Sequence, residues 1–117
     1  MRQWMVPPQV MCDQHLLGEH VEHHMFVGTI LKGVSVAGYI EGGLLQPETL
    51  QARHDELVAE MEARGMVHRS PLQEHPPQDP EGYIDVDGSL AELAKRCPDC
   101  RRWQERFGVA KFCKESK

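Results

Sequence analysis

Two groups near the start of this 117-residue chain have the types and spacing for covalent chemistry: the α-amine of Met1 and the carboxylate of Glu22. The block Asp13-Gln14-His15-Leu16-Leu17-Gly18-Glu19-His20-Val21-Glu22 reads as part of one helix. That helix can bring Glu22 back onto the amino terminus. An α-amine titrates near pH 8, well below lysine, so a usable fraction is a neutral nucleophile at neutral pH. A carboxylate beside it can stabilise a cationic sugar carbon and shuttle protons. Together they form a compact device for attack on a sugar.

The elements that must position this pair follow from punctuation and periodicity. Pro7 and Pro8 keep the first segment extended. Asp13 is a good N-cap for a helix running to about Lys32, with Gly33 to end it. Its apolar arc is Leu16, Leu17, Val21, Met25, Val27 and Leu31; the opposite arc carries His15, Gly18, Glu19, Glu22, Phe26 and Thr29. The Gly-rich stretch 33–45 predicts a short helix or loop. Pro47 opens a second long helix to about Arg64, stopped by Gly65, with Leu50, Leu57, Val58 and Met61 buried. Residues 66–88, with Pro71, Pro76, Pro77 and Pro80, predict a long irregular loop. Ser89 is expected to cap a helix to about Arg96, with Leu90, Ala91, Leu93 and Ala94 inward. Pro98 opens a last one, Asp99–Phe107, ended by Gly108. The fold class is therefore all-α, and the length fits one domain, 1–117.

Net charge is −5, which argues against a generic DNA-coating protein. The charge is uneven. Residues 1–88 hold 5 Lys/Arg against 14 Asp/Glu, and residues 89–117 hold 8 against 4. A phosphate-binding surface is thus expected in the C-terminal part, from Arg101, Arg102 and Arg106 near Trp103, with Arg2 as a further contributor. Trp103 and Phe107, four apart, serve either as core or as a base-stacking platform. No apolar run is long enough for a membrane span and no signal-peptide layout is present, so a soluble cytoplasmic protein with no membrane partner is expected.

Metal is not expected. Cys97-Pro98-Asp99-Cys100 with Cys113 offers three thiols, but one Cys-x-x-Cys pair is a weak zinc signal, and buried thiols account for them. His20 and His24 have helical ligand spacing, with His23 and Cys12 nearby. The order His20-Val21-Glu22-His23-His24 is not the zinc-protease motif, and satisfied core or interface histidines account for it.

Three blocks carry a family resemblance. They are Asp13-Gln14-His15-Leu16 with Glu19 and Glu22; Arg53-His54-Asp55-Glu56-Leu57-Val58-Ala59-Glu60-Met61-Glu62-Ala63-Arg64-Gly65; and Trp103-Gln104-Glu105-Arg106-Phe107-Gly108. In this order they resemble the pyrimidine-dimer DNA glycosylases, the phage endonuclease V-like family. The resemblance implies a compact domain of about three main helices with the N-terminal segment threaded between them. It implies a glycosylase with abasic-site lyase activity that needs no cofactor: the terminal amine attacks C1′, an imine forms, and β-elimination cuts the strand. The family's helix-1 glutamate aligns with Glu22. Arg2 is too bulky for ordinary methionine removal, so Met1 is expected to remain. The block at His15 is shifted by one position, which keeps the amine-to-glutamate spacing. On this reading Met1 and Glu22 are catalytic, and Arg2, Gln14, His15, Glu19, Arg101, Arg102, Trp103 and Arg106 face damaged, modified or single-stranded DNA. His15 alternatively only packs near the helix start.

The resemblance departs at the family's first-helix arginines, which are Val21 and Met25 here. Fewer neutralised phosphates weaken duplex binding steeply. These departures and the acidic balance support an alternative: the same fold binding or acting on a nucleotide or modified nucleotide, without duplex repair.

Overall fold

The computed structural model describes residues 1–67, 71–78 and 81–107. Those residues form five α-helices and no strands: α1 (Asp13–Leu31), α2 (Ala37–Glu41), α3 (Leu50–Ala63), α4 (Val86–Arg96) and α5 (Pro98–Arg106). Two 3-10 turns, Pro8–Val10 and Pro47–Thr49, precede α1 and α3. The all-α architecture matches the expectation; Phe107 lies just past α5, and Gly108 and Cys113 lie outside the described residues. No described helix is long and apolar enough to cross a membrane.

Helix α1 packs on α3, and α4 packs on α5. The N-terminal segment runs between them, and its Pro8–Val10 turn touches both α3 and α5. Its side chains belong to the interior: Trp4, Val6, Val10 and Met11 join Leu16, Leu57, Met61, Leu90, Leu93 and Cys100 in one apolar cluster. A second cluster joins Phe26, Val27 and Ile30 of α1 to Val36, Ile40, Leu45, Leu50 and Leu72, with Met1 against its edge.

The helix ends differ in detail from the expected ones. Asp13 is the first helical residue of α1, not its cap; Cys12 holds the cap position, and Asp13 is freed to pair with Arg64 at 2.9 Å. Asp85, not Ser89, caps α4: its carboxylate accepts from the Gly88 amide, and the helix starts three residues before Ser89. Ser89 is buried instead. Gly33 and Gly65 terminate α1 and α3 at φ +77° and +82°, the left-handed conformation that glycine adopts without strain.

The larger correction concerns which face of α1 is inside. Leu17, Val21, Met25 and Leu31 are exposed, whereas Leu16, Glu19, His20, His23, Phe26, Val27 and Ile30 are buried. A polar stripe points inward because it meets polar partners. Arg53 of α3 donates from Nε and Nη2 to the two Glu19 oxygens at 2.6 and 2.9 Å, and from Nη1 to the Val6 carbonyl at 2.7 Å. Gln3 is fully buried, its amide nitrogen 2.9 Å from His23 Nε2, and its carbonyl accepts from the Gln46 amide at 2.6 Å. Gln3 also donates its backbone N–H to the Leu44 carbonyl at 2.8 Å. The first six residues are thereby fixed to α1, α3 and the loop before α3.

Candidate functional site

The N-terminal segment ends beside the exposed edge of α1. There the Arg2 amide lies 3.3 Å from Glu22 Oε2, one residue from the Met1 α-amine. Around this contact opens a cleft of about 620 Å³, lined by Met1, Arg2, Trp4, Gln14, His15, Gly18, Glu19, Glu22, Leu44 and Arg96. Two geometric causes put Glu22 there. Residues 15, 18, 19 and 22 share one helical face, and the Gln3 contact with His23, together with Arg53 bonding both Val6 and Glu19, holds the segment against α1.

Two cations flank the amine–carboxylate pair. The Arg2 guanidinium lies 3.8 Å from the Trp4 ring centroid and donates to Ser89 Oγ at 3.3 Å. Arg96 lies on the same ring at 5.5 Å and is ion-paired to Glu92 at 2.5 Å. Burial and then the Arg96 charge lower the Arg2 pKa below its ordinary value. The same two causes, in the same order, hold the His15 imidazole below the usual histidine range. The His15 ring meets Trp4 edge-on at 5.9 Å.

A second cleft of about 530 Å³ is lined by Cys12, Asp13, Gln14, Asp99, Arg102, Trp103 and Arg106. Gln14 lines both clefts, so the basic face of α5 adjoins the reactive end of the chain. Arg64 lies 4.1 Å from the Trp103 ring, Arg106 5.4 Å, and Phe107 is stacked at 6.1 Å. Arg102 is ion-paired to Asp99.

Of the residues expected at substrate, Met1, Arg2, Gln14, His15 and Glu22 come together in the first cleft, and Arg102, Trp103 and Arg106 in the second. Arg101 is exposed on α5 and lines neither. Glu19 also lines the first cleft, and its buried carboxylate is bonded by Arg53, which anchors α1 to α3. Arg96 was missed, because in sequence it is simply the basic end of a helix, where cations are common.

Histidines and cysteines cluster in ways not apparent from their order. His20, His24 and His54 bring three rings within 4.8–5.1 Å of one another. Cys12, His15, Cys97 and Cys100 form a separate group near the N-terminus of α1. The Cys12-x-x-His15 spacing, set beside Cys97-x-x-Cys100, was the signal for this second group.

The fold is an all-α domain whose amino-terminal segment and a helical glutamate line one cleft. The family model described as pyrimidine dimer DNA glycosylase matches residues 1–74. The chain belongs to that family. Searches of curated proteins and of solved structures found no match.

Proposed function

We propose that the protein is a DNA glycosylase with abasic-site lyase activity, using the Met1 α-amine and Glu22. The observation that carries this reading is the Glu22 carboxylate at 3.3 Å from the Arg2 amide, in a cleft that Met1 lines. The neutral amine attacks C1′ of the damaged nucleotide. The glycosidic bond breaks, its electron pair leaving with the base, which takes up a proton. Loss of the amine proton and ring opening give the imine. Removal of a C2′ proton then expels the 3′ phosphate. Glu22 stabilises the cationic sugar and relays these protons. Arg2 and Arg96, both on Trp4, supply positive charge for the flanking phosphates, and Arg102, Trp103 and Arg106 extend the contact along the strand.

One observation favours a second reading. Val21 and Met25, at positions where the family carries arginine, are 52% and 49% exposed on α1 beside Glu22. That apolar edge suits a single-stranded or modified nucleotide substrate better than a duplex phosphate backbone.

Incubation with ultraviolet-irradiated duplex, abasic-site duplex, undamaged duplex and single-stranded abasic DNA separates the two. Cleavage confined to the irradiated and abasic duplexes is expected. Cleavage of single-stranded abasic DNA alone would select the second reading, and no cleavage of any substrate would reject the lyase.

A further inference from the structure

We propose that Cys12, His15, Cys97 and Cys100 form a structural zinc site that clamps the start of α1 to the junction of α4 and α5. The four ligand atoms all lie within 4.8 Å of one another. Cys12 Sγ is 3.3 Å from His15 Nδ1, Cys100 Sγ is 3.4 Å from the same nitrogen, and Cys12 Sγ is 3.9 Å from Cys97 Sγ. A tetrahedral zinc with bonds of about 2.3 Å to sulfur and about 2.0–2.1 Å to nitrogen sets its ligands about 3.8 Å apart for S···S and about 3.5 Å for S···N. The observed separations fall around those values. The 3.9 Å sulfur pair is also far longer than a disulfide bond, which is about 2.05 Å.

The surroundings complete the ligand set. The Cys12 amide donates to Cys100 Sγ and the Cys100 amide to Cys97 Sγ, each at 3.4 Å. Peptide donors on sulfur stabilise thiolates, the form that binds metal. Cys97 also caps α5, so its sulfur sits at the positive end of that helix. Cys12 and Cys100 are buried, while His15 and Cys97 are partly open to solvent, leaving an entry path. Three thiols losing their protons and one neutral imidazole give a Cys₃His set, which is closed and carries no open position for catalysis.

The clamp has a role in this fold. The family match ends at residue 74, whereas α4 and α5 lie beyond it. Two ligands come from each side of that boundary. Arg96 is adjacent to Cys97, and Ser89, which holds Arg2, is on the same helix. Metal at this position therefore fixes Arg96 and Ser89 over the first cleft and the α5 cations beside Gln14. His15 becomes a ligand through Nδ1 and forms a wall of the cleft.

The test is elemental analysis of the intact protein purified under reducing conditions without chelator. One zinc per chain is expected, and Co²⁺ added to metal-free protein should give intense visible bands with sulfur-to-metal charge transfer. Cys12→Ser and Cys97→Ser should each lose that spectrum; Cys113→Ser and His24→Asn should keep it. Should the first two variants fail to fold, titration of the wild type with a mercurial replaces them, and about one equivalent of zinc released as the thiols react is expected. Cobalt bands that survive Cys12→Ser but vanish in Cys113→Ser would overturn this ligand set. So would the absence of both zinc and a cobalt spectrum, or a Cys97–Cys100 disulfide in the purified protein.

Discussion

Replacing Arg53 by methionine tests how the active end of the chain is held. The guanidinium makes three short hydrogen bonds, two to Glu19 and one to the Val6 carbonyl. Methionine keeps much of the side-chain length and removes all of them. Glu19, with a side chain that has no exposure, is left as an uncompensated buried charge. Breaking one partner of such a pair costs about 3–5 kcal/mol. The Val6 carbonyl, stripped of its donor, adds roughly 1 kcal/mol. The total rivals the whole stability of a small domain, which is about 5–15 kcal/mol. Urea unfolding followed by circular dichroism should therefore show a large fall in midpoint. The double variant Glu19→Leu/Arg53→Met removes the stranded charge and should recover most of the loss, because apolar replacement of a buried pair is often neutral. A loss below about 1 kcal/mol in Arg53→Met, or a double variant worse than the single, would refute the reasoning that this pair anchors α1 and the N-terminal segment.

Two further outcomes concern the buried frame. The His23 pKa is held below its ordinary value, first by burial; its Nδ1 lies 2.8 Å from the Glu19 carbonyl and its Nε2 faces the Gln3 amide nitrogen. Neutral imidazole suits this geometry, donating from Nδ1 and accepting at Nε2, so the unfolded chain binds the extra proton first. Stability is present above about pH 6.5 and falls as the pH drops below it toward the folded pKa; urea midpoints at neutral and mildly acidic pH should show this, with a shallower decline in His23→Gln. At Gly82 an added Cβ meets the Leu45 carbonyl oxygen at 2.0 Å, a backbone atom with no side-chain freedom. Gly82→Ala should lower the melting temperature by several degrees, roughly the effect of 1–3 kcal/mol of overpacking; an unchanged melting temperature would contradict the close approach of this segment to Leu45.

How much of this was legible in the sequence differs between elements. The helices of residues 13–31 and 50–63 were readable because proline, glycine and apolar spacing agree at their ends. Their inner faces were less so. Hydropathy places Glu19, Arg53 and His54 outside, yet all three are buried; His20 and His23, read as core or interface histidines, are buried too. Their burial depends on partners from distant segments, as in Glu19 with Arg53 and Gln3 with His23, and no local pattern encodes such pairing. Leu17, Val21 and Met25 were misplaced for the same reason, since the polar stripe took the interior they were expected to fill. The Met1–Glu22 end was legible through helical spacing and family resemblance. The cleft's second arginine and the joining of Cys12-x-x-His15 to Cys97-x-x-Cys100 were not: the two short spacings are visible, but no local pattern shows that segments more than eighty positions apart meet.

The central claim is that Met1 and Glu22 act together at the sugar. Its most direct measurement is borohydride reduction of the protein with abasic-site DNA, followed by mass spectrometry of the cross-linked peptide. The adduct should map to the α-amine of Met1, with trapping sharply reduced in Glu22→Gln and abolished by acetylation of the N-terminus. An adduct on a lysine, or trapping that survives both changes undiminished, would contradict the account.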